Sequence, residues 1–270
     1  MKQTILMLIF FSTLACGQGR SSKVLAAGER FYCEPCNNHC DTIAFDKPGT
    51  CEHCGMRLVA RKDSEIKELK KIANERPNVA IFIHQGVELL DFAGPGEVFS
   101  VSGFNVYTVA ATEDPIISQN FVSIKPQYSI NNCPKPDIIV LPGGATNIPM
   151  QDNDVIEWIR KTVPGTTVTL SVCTGAGLLS KAGLLDGKTV TTFHNYIETL
   201  QEMTPSAKVI RDTRFVDNGS IVTTAGVSAG IDGALHVVAK LKGKEVARRT
   251  VEYMEYDKWK EDEGLIVKKN

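Results

Sequence analysis

The chain has 270 residues, of which 43% are hydrophobic, and its formal net charge is −1. This length and apolar content allow one full-sized globular domain with an appendage, or two modest domains, and they exclude global disorder. The near-neutral charge gives no overall indication of binding to nucleic acid or to an anionic membrane surface. Five of the eight cysteines lie between residues 33 and 54. Such clustering indicates that these cysteines form a local structural site rather than a disulfide framework for the whole fold.

The N-terminus has the pattern of an export signal. Lys2 gives a positive start, and residues 5–14 form an almost unbroken apolar run, too short for a bilayer span of about 20 residues. The run ends just before Cys16, and residues 1–16 resemble a bacterial lipoprotein signal in which that cysteine becomes lipid-modified. The resemblance implies a lipid anchor in the cell envelope, in the periplasm or at the outer membrane. Ordinary secretion is the alternative, and residues 17–30 are interpreted as a tether.

The cysteine cluster over residues 31–60 has the spacing of a metal ribbon. Cys33 and Cys36 form one Cys-x-x-Cys pair, and Cys51 and Cys54 form a second. Two such pairs bring four thiolates to one tetrahedral ion, and zinc or another soft divalent metal is expected. Disulfides are the rival interpretation for an oxidising compartment. The segment is similar to the small heavy-metal-binding domain of bacterial metal-efflux proteins. The alternate ligands are Cys40, His39, His53 and Met56.

Alternating strand and helix patterns follow. Residues 61–77 predict a charged linker helix, and an apolar run at residues 79–83 then begins a series of buried strands. Strands alternating with helices predict βαβ units and therefore an α/β fold, with a mostly parallel sheet sandwiched by helices over residues 78–256. Residues 257–270 are predicted to be a C-terminal tail. The other predicted strands are 104–110, 138–141, 167–172, 214–216 and 221–224, and the predicted helices are 87–101, 155–162, 175–182, 197–203, 229–241 and 244–256.

Cys173 stands at a strand-to-helix junction. Residues 167–172 predict a buried strand, and a helix begins at Gly175. A side chain on such an elbow projects into the crevice at the carboxyl ends of the strands, where α/β folds bind their ligands. The helix N-terminus is expected to favour the thiolate over the thiol. Cys173 is therefore predicted to be a nucleophile, with an inert buried cysteine as the alternative.

Two further segments are expected at the same edge of the sheet. Gly143 and Gly144 directly follow a buried strand, so their backbone N–H groups are predicted to bind a developing oxyanion, unless they only form a turn. Asp91 follows the first strand among apolar neighbours. Its pKa is expected to rise there, which suits a proton shuttle, whereas a helix cap is the alternative role.

These motifs resemble one family. The sequences Ser-Val-Cys-Thr-Gly-Ala at residues 171–176, Leu-Pro-Gly-Gly at 141–144 and Leu-Asp-Phe-Ala-Gly-Pro at 90–95 resemble the ThiJ/PfpI superfamily, most closely its isocyanide hydratase-like branch. The resemblance covers about residues 78–256. It implies a fold like that of class I glutamine amidotransferases and flavodoxin. It also implies that Cys173 is hydrogen-bonded to Asp91.

The resemblance extends to two further side chains. It places Thr174 in the site, at a position where protease-like members have a histidine, which argues against peptidase activity. Many relatives carry a histidine one position before His194, so the resemblance leaves open whether His194 enters the site.

The same resemblance implies a reaction. The expected chemistry is hydration of an isocyanide to an N-substituted formamide through a thioimidate on Cys173, with no cofactor in the catalytic domain. Glyoxalase-type conversion of a dicarbonyl is an alternative, as is a cell-surface metal or redox sensor without turnover. The expected partners are a small electrophilic substrate, a metal ion for the ribbon and a second copy in a homodimer. Nucleic acid is not an expected partner.

Overall fold

The computed structural model describes residues 25–33 and 39–268. The chain divides into two compact units, with the boundary between Glu68 and Leu69. The predicted signal over residues 1–16, with the lipidation site Cys16, and the predicted metal ligand Cys36 lie outside the described residues. Within the described ranges, no helix combines the length and the apolar character needed to cross a membrane.

The smaller unit is built on a short antiparallel sheet. Its strands are β1 (Glu29–Cys33), β2 (Ala44–Phe45) and β3 (Leu58–Lys62), in the order β2-β1-β3, and the helix α1 (Asp63–Asn74) follows. Its core is small, and cysteines make up much of it: the buried members are Phe31, Cys33, Cys40, Cys51 and Leu58. So small an apolar core is typical of modules that need a metal ion or disulfides for stability.

The larger unit confirms the predicted α/β fold. Its strands are β4 (Asn78–Phe82), β5 (Asn105–Ala110), β6 (Ile116–Ser118), β7 (Val122–Ile124), β8 (Tyr128–Ser129), β9 (Ile138–Leu141), β10 (Val168–Ser171), β11 (Thr189–Val190), β12 (Lys208–Val209), β13 (Phe215–Asp217), β14 (Ile221–Thr224) and β15 (Leu265–Ile266). Its helices are α2 (Leu89–Val101), α3 (Asn153–Thr162), α4 (Ala176–Lys181), α5 (Ile197–Met203), α6 (Ala229–Lys242) and α7 (Lys244–Tyr253).

One mostly parallel sheet organises these elements. Over the described residues it has eight strands in the order β15-β13-β14-β10-β9-β4-β5-β8, and within it only the β13–β14 pair is antiparallel. Alternate residues of a strand point to opposite faces. Accordingly, Val79 and Ile81 of β4 pack into the core beneath α2, α6 and α7, whereas Ala80 and Phe82 pack into the core beneath α3, α4 and α5. Because both faces are covered, the central strands are continuous apolar runs.

Several short strands of the larger unit were not predicted from the sequence, among them β6, β7 and β15. The β6–β7 hairpin lacks the usual turn signature, because Gln119 and Asn120 supply the two left-handed turn residues (φ 44° and 63°) where Asn-Gly is typical. Part of the predicted tail forms strand β15, which pairs with β13. That strand is only two residues long and largely exposed, so its sequence has no apolar pattern that distinguishes it from a loop.

Candidate active site and metal centre

The candidate nucleophile lies on a sharp turn after β10. Cys173 has φ 58°, a left-handed conformation that is strained for a residue with a side chain. Its N–H donates to the carbonyl oxygen of Ala225 at 3.1 Å, and its own carbonyl accepts from Thr192 Oγ1 at 2.6 Å. A side chain at Gly175 would overlap the Leu141 carbonyl oxygen, so only glycine fits there. The neighbouring strands therefore hold the elbow on both sides.

The candidate proton carrier is Asp91, in the first turn of α2. Its side chain is fully buried, and Oδ2 accepts a hydrogen bond from the N–H of Gly143 at 2.9 Å. Burial raises the pKa of Asp91 to about 7, and the charge of Glu88 adds to this rise. The Gly143 N–H and the Cys173 thiol oppose it. A carboxyl group that titrates near neutrality can both accept and donate a proton during turnover.

The expectation that the helix end would make Cys173 a thiolate is wrong. Burial, followed by the charge of Asp91, raises the pKa of Cys173 to about 12, although the N–H groups of Thr174 and Val227 oppose the rise. The thiol is only 6% exposed, and α4 is six residues long, so desolvation exceeds the effect of the helix end. Because two adjacent anions are unfavourable, the Cys173–Asp91 pair shares one proton above about pH 7.

The two glycines after β9 have a different role from the predicted one. The Gly143 N–H is held by Asp91, and the Gly144 N–H donates to Thr174 Oγ1 at 3.1 Å. These donors therefore fix the site rather than remain available to an oxyanion. The N–H groups that stabilise negative charge on Cys173 belong instead to Thr174 and Val227.

Sequence reasoning missed Val227, whose N–H acts on both Cys173 and Asp91, and the buried His84, which lies against the backbone of Pro142 and Gly143. Val227 has φ 49°, which is unusual for a β-branched residue, and its local sequence does not predict this conformation. His84 is buried at the carboxyl end of β4, its Nδ1 lies 3.0 Å from the Gln85 carbonyl oxygen, and burial lowers its pKa. In the sequence, His84 could have been found as the histidine that directly follows the apolar run at residues 79–83.

The structure does not bring His194 to the Cys173–Asp91 pair. Its imidazole is exposed and lies against the ring of Phe193, with centroids 4.2 Å apart. It lines a neighbouring cavity of about 630 Å³ that includes Thr192 and Gly226 but neither member of the pair. His194 is therefore not placed to act as a base on Cys173.

Substitution of Gly143 by alanine tests how the site is fixed. A Cβ at this position would lie 2.7 Å from the Thr174 nitrogen and 2.8 Å from Asp91 Oδ2, closer than real Cβ atoms approach their neighbours. The added methyl group must displace the Asp91 carboxyl group or the elbow. We expect Gly143→Ala to lower the alkylation rate of Cys173 by roughly 10-fold or more, since displacements of about 1 Å are costly in such sites. Gly165→Ala, where nothing lies within 4 Å, is the control. Equal rates in the two variants would contradict this account.

The smaller unit contains a cluster of four thiols. The sulfur atoms of Cys33, Cys40, Cys51 and Cys54 all lie within 4.8 Å of one another. A tetrahedral zinc ion with bonds of 2.3 Å needs sulfur atoms about 3.8 Å apart, so the cluster fits one ion. Cys33, Cys51 and Cys54 are predicted ligands. Cys40 was predicted only as an alternate, and it lies with them in the described part of the chain, which does not include Cys36.

The larger unit is therefore an α/β sandwich that carries a cysteine on a strained elbow beside a buried carboxyl group. Residues 77–240 match the DJ-1/PfpI family, and the chain belongs to this family.

Its relatives include both enzymes and regulators. An isonitrile hydratase from Pseudomonas putida is 33% identical over 183 residues, which are 66% of this chain and 78% of that protein. The HTH-type transcriptional regulator CdhR from Pseudomonas aeruginosa is 26% identical over 55% of this chain, a match that spans 44% of the regulator. The crystal structure of a ThiJ/PfpI family protein from Pseudomonas syringae superposes with a TM-score of 0.64 at 28% identity, covering 67% of this chain and 76% of that one.

Proposed function

We propose that this protein is a cysteine-dependent hydratase that converts small isocyanides to N-substituted formamides. The observation that carries the proposal is the buried Cys173–Asp91 pair, in which a carboxyl group with a pKa of about 7 lies beside a thiol. Such a pair deprotonates the thiol only as it attacks, and it keeps the proton available for the next step. The similarity to an isonitrile hydratase supports the choice of substrate.

The first step of the proposed mechanism is attack on the isocyanide. Cys173 Sγ forms a bond to the terminal carbon of the isocyanide while Asp91 takes the thiol proton. Asp91 then returns that proton to the same carbon, which gives a thioimidate (R–N=CH–S–Cys173). The thiol proton ends on carbon, so this step needs no other reactant.

Water completes the reaction. A water molecule adds to the thioimidate carbon, with one of its protons moving through Asp91 to the substrate nitrogen. Collapse of the tetrahedral intermediate breaks the C–S bond and releases R–NH–CHO, while the proton of the new hydroxyl group, the second proton of the water, moves through Asp91 to Sγ. The N–H groups of Thr174 and Val227 act on Cys173 and stabilise the negative charge that develops on its sulfur. The sum is one isocyanide and one water giving one formamide.

The proposal is tested by incubating the full-length protein with a panel of small isocyanides and, separately, with methylglyoxal. Formamide production, measured by mass spectrometry, is the expected result. Consumption of methylglyoxal alone would replace the proposal with a glyoxalase-type activity. A folded protein with an alkylatable Cys173 and no turnover in either assay would favour a sensor.

As a second function, we propose that the smaller unit binds a soft divalent metal ion, with zinc the first candidate. The compact cluster of Cys33, Cys40, Cys51 and Cys54 supports this, because four thiolates in a closed set are typical of a structural rather than a catalytic site. The ion would stabilise a unit whose apolar core is very small.

Removal of one ligand is expected to abolish metal binding. We expect the wild-type protein to contain about one zinc ion per chain and Cys51→Ser to contain less than about a tenth of that, because three thiolates hold the ion far less tightly. Elemental analysis of the purified proteins measures this. Cys133→Ser, in the larger unit, is the matched control. If Cys51→Ser retained its zinc, the assignment of the metal to these four cysteines would be wrong.

We also propose that the protein is exported, lipid-modified at Cys16 and homodimeric. The apolar run before Cys16 supports export and anchoring. Mass spectrometry of the mature N-terminus tests the lipid, and sedimentation tests the dimer. An unprocessed N-terminus, or a monomer at micromolar concentration, would contradict the respective proposal.

A further inference from the structure

One carboxylate near the Cys173–Asp91 pair has no part in the mechanism above. Glu88 immediately precedes α2 in an extended conformation, three residues before Asp91. Its backbone N–H donates to the carbonyl oxygen of Gly143 at 3.1 Å, and the Gly143 N–H holds Asp91. The position of Glu88 is therefore tied to the same loop that fixes Asp91.

The side chain of Glu88 lies at the edge of the site and is partly exposed. Gln119 Nε2, from the turn of the β6–β7 hairpin, donates a hydrogen bond to Glu88 Oε1. Over the described ranges, no lysine, arginine or histidine nitrogen lies within ion-pair distance of Glu88. The amide partner is neutral, and a partly buried carboxylate of this kind is stabilised when it pairs with an opposite charge.

The charge of Glu88 acts on both reacting groups, since it raises the pKa of Asp91 and of Cys173. The arginines of the adjacent cavity are already paired, Arg214 with Asp232 and Arg211 with Glu198. The charged side chains that act most strongly on Cys173 are Asp91 and Glu88, and both are negative.

We propose that Glu88 selects electrophiles that carry a positive charge, so that the preferred substrate is a small isocyanide bearing a protonated amine. The substrate part of this proposal rests on the proposed hydratase function, whereas the charge preference of the site does not. The ammonium group would pair with Glu88 while the isocyanide carbon reaches Cys173. An anionic analogue would be repelled by the same carboxylate. For one partly screened unit charge, the expected selectivity is about threefold to thirtyfold.

The test compares three methanethiosulfonate reagents that modify thiols: aminoethyl (cationic), methyl (neutral) and sulfonatoethyl (anionic). Each forms a mixed disulfide with Cys173 and releases methanesulfinate, and peptide mass spectrometry follows Cys173 separately from the other cysteines. Rates are divided by those for 2-mercaptoethanol to remove the intrinsic reactivity of the reagents. In the wild-type protein we expect the normalised rate at Cys173 to be highest for the cationic reagent, lower for the neutral one and lowest for the anionic one.

Glu88→Gln is expected to reduce the cationic-to-anionic ratio at least threefold, whereas Glu97→Gln is expected to leave it unchanged. Glu97 is exposed on the same helix, so it controls for loss of one negative charge. A wild-type preference for the anionic reagent, or the same ratio in Glu88→Gln, would overturn the proposal.

A second arm separates this inference from the proposed function. It compares kcat/KM for 3-isocyanopropylamine and for butyl isocyanide, which differ in charge but little in length. A higher value for the amine in the wild-type protein, lost in Glu88→Gln, is expected. Equal values in both proteins would overturn the substrate preference and leave the hydratase function standing. If neither isocyanide reacts, the hydratase function and this substrate assignment fail together, and the thiol-modification ratio still decides whether Glu88 controls the charge preference.

Discussion

Replacement of Cys173 by alanine is expected to lower formamide production by about four orders of magnitude or more. The proposed reaction passes through a bond between Cys173 Sγ and the isocyanide carbon, and alanine has no atom that can form it. Removal of a covalent nucleophile typically reduces kcat to a residual rate that comes only from binding and from the remaining polar groups. Steady-state formamide production, measured by mass spectrometry, gives the ratio.

The variant must be shown to be folded. Cys173 is buried and its backbone is held by Ala225 and Thr192, so alanine, which is smaller, should fit without moving the elbow. Near-ultraviolet circular dichroism should therefore match the wild-type spectrum. Cys133→Ala is the matched control, because this half-buried cysteine lies outside the site, and it should retain most of the activity. More than about 1% residual activity in Cys173→Ala would mean that the sulfur is not the nucleophile.

The fold could be predicted because it depends on long-range apolar patterns. The runs that form β4, β9 and β10 are continuous, which indicates strands covered on both faces, and helical patterns lie between them. The position of Cys173 followed from the same reasoning, since an elbow needs only a strand, a helix and small residues between them. The unpredicted elements, such as β15, are short and are formed by pairing with a neighbour rather than by their own sequence.

The electrostatics of the site could not be predicted in the same way. Whether Cys173 is a thiol or a thiolate depends on how deeply the elbow is buried and on how close Asp91 lies, and neither follows from residue types. The Gly143 and Gly144 N–H groups reach the crevice edge as expected, but their partners are protein atoms. The positive φ of Val227 is imposed by the tertiary structure, so its local sequence gives no sign of it.

Cys40, the fourth cysteine of the thiol cluster, illustrates a related limit. Cys-x-x-Cys spacing indicates which thiols are close along the chain, and on this basis Cys36 was predicted with Cys33. Among the described residues, the fold of the smaller unit places Cys40, a predicted alternate ligand, in the cluster with Cys33, Cys51 and Cys54. Spacing therefore predicted a compact group of thiols, whereas the place of Cys40 in that group depends on the fold.

Asp91→Asn is expected to lower kcat/KM by about 10² to 10⁴, the usual contribution of a positioned proton carrier. Asparagine has nearly the same shape, and its carbonyl oxygen can still accept the hydrogen bond from the Gly143 N–H. The variant therefore loses the proton transfer while the structure of the site is largely kept. The thiol of Cys173 would then have to lose its proton to water, which is unfavourable because burial, the largest cause of its raised pKa, remains in the variant.

The pH dependence gives a second readout of the same variant. Below about pH 7 Asp91 is protonated and cannot accept the thiol proton, so the wild-type kcat/KM should rise with pH and level off above about 7. At pH 5 it should be about 100-fold below the plateau. The ionised fraction of a single group with a pKa of about 7 falls tenfold for each pH unit below that value. Alkylation of Cys173 by iodoacetamide, a neutral reagent, should show the same rise. If the profile of Asp91→Asn kept the wild-type rise near pH 7, another group would be the base.

The raised pKa of Asp91 also has a cost in stability, and its sign can be tested. The folded protein binds this proton up to about pH 7, whereas an unfolded chain releases it near the ordinary value of 3.8. The folded state therefore loses stability as the pH rises from about 4 to about 7, by up to about 4 kcal/mol for this one group. Asparagine does not titrate, so Asp91→Asn should be more stable than the wild-type protein at pH 8 and should lose most of that advantage at pH 4. Urea unfolding of the larger unit at the two pH values measures the difference. A variant that is less active and yet more stable above pH 7 is the result expected when a buried carboxyl group is retained for proton transfer rather than for folding.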